Sequence, residues 1–224
     1  MNKIELVIFD LDGTLIDSLH DIVSAVNYVQ RFYGMPSSTR DEIREILGSG
    51  ERLIEKIFSS IYKGTKLKQI EEKYLFYYRT HFHSTRLYPD VVATLKRLKM
   101  EGVFIAILSN KDSILSRILL KQCGIEAYFS TVVGPDILHF CKPSAKPITR
   151  LLDDFCVSTC NALIIGDSES DMLSGKMAGI TTVGCTYGYG NPSSLIHADY
   201  YISALPELFN YFFDSKGIKK YEVF

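Results

Sequence analysis

No segment of this 224-residue chain approaches 18 consecutive apolar residues, so the sequence offers no candidate for a membrane-spanning helix. A signal-peptide pattern is missing too, because a single lysine precedes a strand-length apolar run. Charge of one sign is also lacking. Lysine plus arginine (25) balances aspartate plus glutamate (26), which leaves no global field for nucleic acid or a membrane surface and makes any anion site local. Cys123, Cys141, Cys156, Cys160 and Cys185 form an odd set without metal-finger spacing, and Cys156 and Cys160 lack the geometry of a redox pair. The five read as reduced thiols of a soluble, cytoplasmic protein, and Cys156 and Cys160 as buried small hydrophobes.

What the chain does have is a strand that ends on paired acids. Val7-Ile8-Phe9 runs into Asp10-Leu11-Asp12-Gly13-Thr14. Ligands of open parallel sheets bind at the carboxyl ends of strands, and Gly13 permits a tight turn just past the acids. An Asx-type turn uses the same residues without any chemistry. Recurrence separates the two readings: Leu163-Ile164-Ile165 leads into Gly166-Asp167-Ser168-Glu169-Ser170-Asp171, and Ile105-Ala106-Ile107-Leu108 into Ser109-Asn110-Lys111.

Helical periodicity covers residues 17–33, where Ile22, Val23, Val26 and Val29 make an apolar face, and Gly34-Met35-Pro36 ends it. Thr39 caps a helix through Leu47, Gly48-Ser49-Gly50 breaks it, residues 51–62 resume, and 67–83 carry a long aromatic face. Residues 16–85 show no strand pattern. Beyond Tyr88-Pro89, helices at 90–101, 113–122, 146–155, 170–178 and 205–213 alternate with strands at 103–108, 129–133, 161–165 and 180–184. This alternation predicts an α/β fold, a doubly wound, Rossmann-like parallel sheet. The first strand must join that sheet, so residues 1–15 and 86–224 read as the α/β core and 16–85 as an inserted helical bundle, a cap over the strand ends.

Asp10, Asp12, Asp167 and Asp171 form a carboxylate cluster that repulsion disfavours unless a cation neutralises it. An oxygen-only site suits magnesium, and the lack of a His or Cys pattern argues against zinc. Lys142, held by Pro143, reaches the same mouth to bind phosphate or anchor an aspartate. Ser109 and Asn110 hold anionic oxygens where the next helix starts, while Asp112 or Ser113 caps that helix. In the cap, Gly48, Ser49, Gly50 and Arg52 are candidates for substrate choice, although two glycines also simply join helices. Tyr74, Phe76, Tyr77, Tyr78, His81, Phe82 and His83 have the helical spacing of cap packing. Tyr187 and Tyr189 sit in a tight glycine-flanked loop.

In order and spacing, Asp10-Leu11-Asp12-Gly13-Thr14, Ser109-Asn110, Lys142-Pro143 and Gly166-Asp167-Ser168-Glu169-Ser170-Asp171 resemble the four motifs of the haloacid dehalogenase superfamily. The resemblance spans essentially the whole chain, including the cap and the Thr186-Tyr187-Gly188-Tyr189-Gly190 loop. Through Asp17-Ser18, Gly48-Ser49-Gly50, Ser109-Asn110-Lys111 and that loop, it is nearest to phosphoglycolate phosphatase-like enzymes. Two departures stand out: Ser144-Ala145 follows Lys142-Pro143 where a second proline is usual, and Asp90 follows Pro89 where glycine is usual.

The resemblance implies a magnesium-dependent phosphatase acting on a small phosphorylated metabolite, with 2-phosphoglycolate the leading candidate. Asp10 would be the nucleophile that becomes an aspartyl phosphate, and Asp12 the general acid and then base. Asp10, the Asp12 main-chain carbonyl and Asp167 would contact the metal, with Asp171 acting through water or by holding Lys142. Ser109 and Lys142 would hold the phosphate oxygens, and Thr14 would orient the first loop. A phosphosugar mutase or a nucleotide or pyrophosphate hydrolase would use the same core, and a receiver-like phosphoacceptor shares the acidic cluster but needs no cap. A monomer or homodimer is expected.

Overall fold

The computed structural model describes residues 3–214. Strand β1 (Leu6–Phe9) leads to β2 (Ile16–Asp17), then to helices α1 (Leu19–Phe32), α2 (Arg40–Ser49), α3 (Leu53–Phe58) and α4 (Thr65–Thr80), and back through β3 (Arg86–Leu87). There follow α5 (Val91–Met100), β4 (Phe104–Leu108), α6 (Ser113–Gln122), β5 (Thr131–Val133), α7 (Pro135–Leu138), α8 (Lys146–Phe155) and β6 (Ala162–Gly166). Helix α9 (Glu169–Ala178), β7 (Thr181–Cys185), β8 (Tyr200–Ile202) and α10 (Glu207–Phe212) complete the described chain. Six strands form one parallel sheet in the order β5-β4-β1-β6-β7-β8.

Period-2 alternation explains why both faces of that sheet are covered. Val7, Phe9, Ile105, Ile107, Leu163 and Ile165 point into one apolar layer, while Leu6, Ile8, Ala106, Leu108 and Ile164 point into the other. Full burial of one such side chain contributes roughly 1.5–3 kcal/mol. The strand order reverses at β1, with β4 and β5 laid down on one side and β6, β7 and β8 on the other. That reversal opens a crevice at the carboxyl ends of the strands.

Four helices leave and return through a ribbon two residues long, in which Ile16 pairs with Leu87 and Asp17 with Arg86, antiparallel. Next to it, the buried Asp21 carboxylate accepts the Ser84 N–H (3.0 Å), the Thr85 N–H (2.7 Å) and the Thr85 hydroxyl (2.7 Å). The bundle itself packs Ile22, Val26 and Val29 of α1 with Ile70, Tyr74 and Tyr78 of α4, and Tyr77 stacks between Tyr28 and His81 at 4.1 Å from each.

Several expectations are corrected. Residues 16–85 do contain a strand, β2, whose length leaves no period to detect. Helix α2 runs on through Gly48 and Ser49, and only Gly50 (φ +76°) breaks it, because a left-handed residue stops the intrahelical bonds. Phe76 is exposed and lies outside the packed aromatic face. A sixth strand, β8, was not apparent from sequence. Cys156 and Cys160 are exposed: Cys156 is the left-handed cap of α8 and Cys160 lies in the following turn, both beyond the helix's buried stripe. The Thr39 capping box and the Asp112 cap (3.0 Å to the Leu115 N–H) are present as expected.

Candidate active site

Phe9 lies opposite both Ile107 of β4 and Ile165 of β6, so the three central strands finish nearly level. The ladder continues one step, with the Asp10 N–H on the Ile165 carbonyl (2.8 Å) and the Ser109 N–H on the Val133 carbonyl (3.1 Å). Asp10, Ser109 and Asp167 therefore gather at one edge. Gly13 (φ +85°) turns the chain beside them, and a Cβ there would strike the Asp167 carboxylate. Asp167 accepts the Thr14 hydroxyl (3.0 Å) and the Tyr189 N–H (2.7 Å).

The buried Lys142 ammonium joins two acids, donating to Asp10 (2.6 Å) and to Asp171 (2.5 Å). Asp171 is held in turn by the Ser168 N–H (3.1 Å) and hydroxyl (2.5 Å) at the start of α9. Asn110 fixes the Lys142 backbone, accepting its N–H (2.8 Å) and donating to its carbonyl (3.0 Å); it also donates to the cap's Gly50 carbonyl (3.1 Å). Carboxylate oxygens of Asp10, Asp167 and Asp171 lie within 4.8 Å of one another. The Asp12 carboxylate is engaged elsewhere, by the Ser18 hydroxyl and by Lys111 Nζ (2.6 Å).

Electrostatics follow from burial. Desolvation lifts Asp10 to about 7 against the pull of Lys142, and lifts Asp167 to about 8 with help from Asp10 and Asp171. Burial also disfavours charge on Lys142, but Asp10 and Asp171 overcome it and hold the ammonium above the ordinary lysine range. Fully ionised, three carboxylates and one ammonium leave two excess negative charges. A buried, oxygen-only donor set with that imbalance fits a hard divalent cation.

Above this floor lies a cavity of about 370 Å³. Asp10, Asp12, Ser109, Asn110, Lys111 and Lys142 line its core end, and Ile22, Leu47, Ile54, Leu67 and Tyr74 its cap walls. Gly50 and Arg52 also line it, and Arg52 pairs with Glu55 and, at 3.6 Å, with Glu71. Gly48 and Ser49 do not: a Cβ on Gly48 would lie 2.8 Å from Gly190 Cα, and the Ser49 hydroxyl donates to the Ile46 carbonyl (2.9 Å). Thr14 is fully buried and reaches the site only through Asp167.

Sequence reasoning missed Lys111, Ser18 and Tyr78 as partners around Asp12. It also left the Tyr187–Gly190 loop without a role. The Tyr189 hydroxyl accepts the Ser18 N–H (2.7 Å) and donates to Asp17 (3.0 Å), and the Tyr187 hydroxyl donates to the Thr14 carbonyl (2.8 Å). Arg44 of α2 donates to the Gly188 carbonyl (3.1 Å). Aromatic residues between glycines were the one available signal.

A parallel α/β sheet whose strand ends hold an acid cluster, a buried lysine and a hydroxyl under a helical insert fits a phosphate-handling enzyme. Residues 7–185 match the haloacid dehalogenase-like hydrolase family. A phosphoglycolate phosphatase of Neisseria gonorrhoeae is 35% identical over 220 residues, covering 93% of both chains. One from Vibrio cholerae is 34% identical over 207 residues, covering 89% of this chain and 92% of its own. Among solved structures, a predicted phosphoglycolate phosphatase from Haemophilus somnus superposes with a TM-score of 0.83 at 27% identity, covering 94% of this chain and 99% of that one. The chain belongs to the haloacid dehalogenase-like hydrolase family, and it is a phosphatase, a phosphoric monoester hydrolase. Among the described residues, no helix is long and apolar enough to cross a membrane.

Proposed function

We propose that this phosphatase hydrolyses a small phosphomonoester through an aspartyl phosphate on Asp10, with magnesium as its cation and 2-phosphoglycolate as the first substrate to test. The observation that carries this reading is the Lys142 ammonium bridging Asp10 and Asp171 inside the three-carboxylate cluster. In the first step an Asp10 oxygen bonds to phosphorus and the ester P–O bond breaks, while Asp12 gives its proton to the departing alkoxide. In the second, Asp12 takes a proton from water, whose oxygen displaces Asp10 from phosphorus.

Asp10 and Asp167 would hold the magnesium ion, with Asp171 beside them. When bound, the ion supplies charge neutralisation for the cluster and the phosphate. Lys142 and the Ser109 hydroxyl orient non-bridging phosphate oxygens, Asn110 keeps the Lys142 backbone in register, and Thr14 steadies Asp167. Residues 1–15 and 86–224 act as the catalytic core and 16–85 as a cap that excludes water, hinged at the β2–β3 ribbon. The relatives named phosphoglycolate phosphatase support the substrate choice.

A magnesium-supplemented screen of 2-phosphoglycolate, sugar phosphates, nucleotides and pyrophosphate in ¹⁸O-water tests this, with Asp10→Asn as control. Label in released phosphate, absent with the control, is the expected result. Phosphoryl transfer between sugar positions without label would identify a mutase instead, and hydrolysis undiminished in Asp10→Asn would remove the proposed nucleophile.

A further inference from the structure

We infer that Lys111 is the specificity residue of this site, reading a carboxylate borne on the carbon next to the ester oxygen of the substrate. This rests on the phosphatase chemistry proposed above. Four cationic side chains line the cavity: Arg52, Lys68, Lys111 and Lys142. Arg52 is shared by two glutamates, and Lys142 by Asp10 and Asp171. Lys68 is an exposed residue.

Lys111 differs from the others. Its side chain is 8% exposed, and its Nζ donates to Asp12 (2.6 Å) and to the Tyr78 hydroxyl of α4 (3.2 Å), with the Tyr78 ring centroid 4.6 Å away. An ammonium has three donors, and among the described residues the third has no protein acceptor.

Position supplies the specificity. A general acid lies within hydrogen-bond reach, about 2.6–3.2 Å, of the oxygen it protonates. The leaving oxygen therefore sits against Asp12, and Lys111 sits against Asp12 from the core side. A carboxylate two bonds beyond that oxygen comes within reach of the unused Lys111 donor, whereas a hydroxyl or methyl there leaves it unfilled. The buried setting strengthens such a pair relative to water. Farther out the cap offers apolar walls, the Glu51, Glu55 and Glu71 carboxylates, Arg52 already paired with two of those glutamates and the exposed Lys68, so a more distant anionic group meets only a shared or a solvent-screened cation. Because Tyr78 belongs to the cap and Lys111 to the core, the same contact ties substrate reading to the seating of the insert on the core.

The test compares kcat and KM for 2-phosphoglycolate and for ethyl phosphate, which lacks only the carboxylate, in the full chain with magnesium. Wild type is expected to prefer 2-phosphoglycolate at least tenfold in kcat/KM. Lys111→Met will lower both activities by releasing Asp12, but will cut the preference itself at least tenfold, chiefly through KM; Lys111→Arg will restore most of it. Circular dichroism and thermal unfolding confirm that the variants are folded. A Lys111→Met protein that loses both substrates in equal proportion would show that Lys111 only positions Asp12, and a wild type indifferent to the carboxylate would also overturn the inference. Failure of wild type to hydrolyse either ester would instead count against the proposed function. If Lys111→Met does not fold, Tyr78→Phe, which removes the hydroxyl that holds the Lys111 ammonium in position, must raise KM for 2-phosphoglycolate more than for ethyl phosphate; equal changes overturn the assignment.

Discussion

The two ends of the cavity are stabilised in different ways. At the core end, buried ionic groups hold one another: Lys142 has two acids, Asp171 has a lysine and a capping serine, and Asp167 has Thr14 and the Tyr189 N–H. At the cap end, Ile22, Ile54 and Tyr74 supply buried apolar surface, and the charges, Arg52, Glu55 and Glu71, are half-exposed. The lesson is one of tolerance. A change in the first region strands a buried charge, which is costly, while a change at the cap mouth is screened by water.

The largest break in that contrast is at the proposed nucleophile. Asp10→Asn is expected to lower kcat on any phosphomonoester by about 10⁴-fold or more while the chain stays folded, as steady-state assays with purified variant and wild type will show. Next in size is the joint between the regions. Asp21→Ala leaves the Ser84 and Thr85 N–H groups without their acceptor and should cost about 2–4 kcal/mol in denaturant unfolding.

Divalent-cation removal comes third. A cation at 100 times its Kd stabilises the folded chain by about 2.7 kcal/mol, and chelation forfeits that. The sign with pH is set by burial: Asp10 at about 7 and Asp167 at about 8 keep protons in the folded, cation-free chain that ordinary unfolded carboxyls release near pH 4. Unfolding in chelator should therefore show stability falling as pH climbs from about 4 to about 8, and added magnesium should oppose the fall most strongly at the alkaline end. The smallest effect is outside both regions. Asp90 has φ +61°, where glycine is free of strain, so Asp90→Gly should raise stability by about 1 kcal/mol in thermal unfolding.

What could be read in the sequence were features that are local in the chain. Apolar runs ending in Asp10, Ser109 and Asp167 announced both the strands and the cluster, because strand ends of a parallel sheet converge without further instruction. Hidden features depend on partners far apart: Lys111 with Asp12, Tyr189 with Ser18, and Asp21 with Thr85. Each member looks ordinary alone. Tyr200-Tyr201-Ile202 was too short and too mixed to show a period, and Gly48 looked like a breaker although close approach to Gly190, not a turn, is what requires it there.

The two-residue ribbon at the base of the insert also bears on how the sheet is made. Phe9 must find Ile107 across roughly a hundred residues, a separation whose closure costs entropy that grows with the logarithm of loop length. Once Ile16 pairs with Leu87, the remaining span is about a quarter as long, which trims that cost by about 1.2 kcal/mol. A bundle of locally contacting helices that zips its own ends together thus acts as a splint for the central strand pair, and lengthening or loosening the ribbon should slow folding more than it weakens the finished protein.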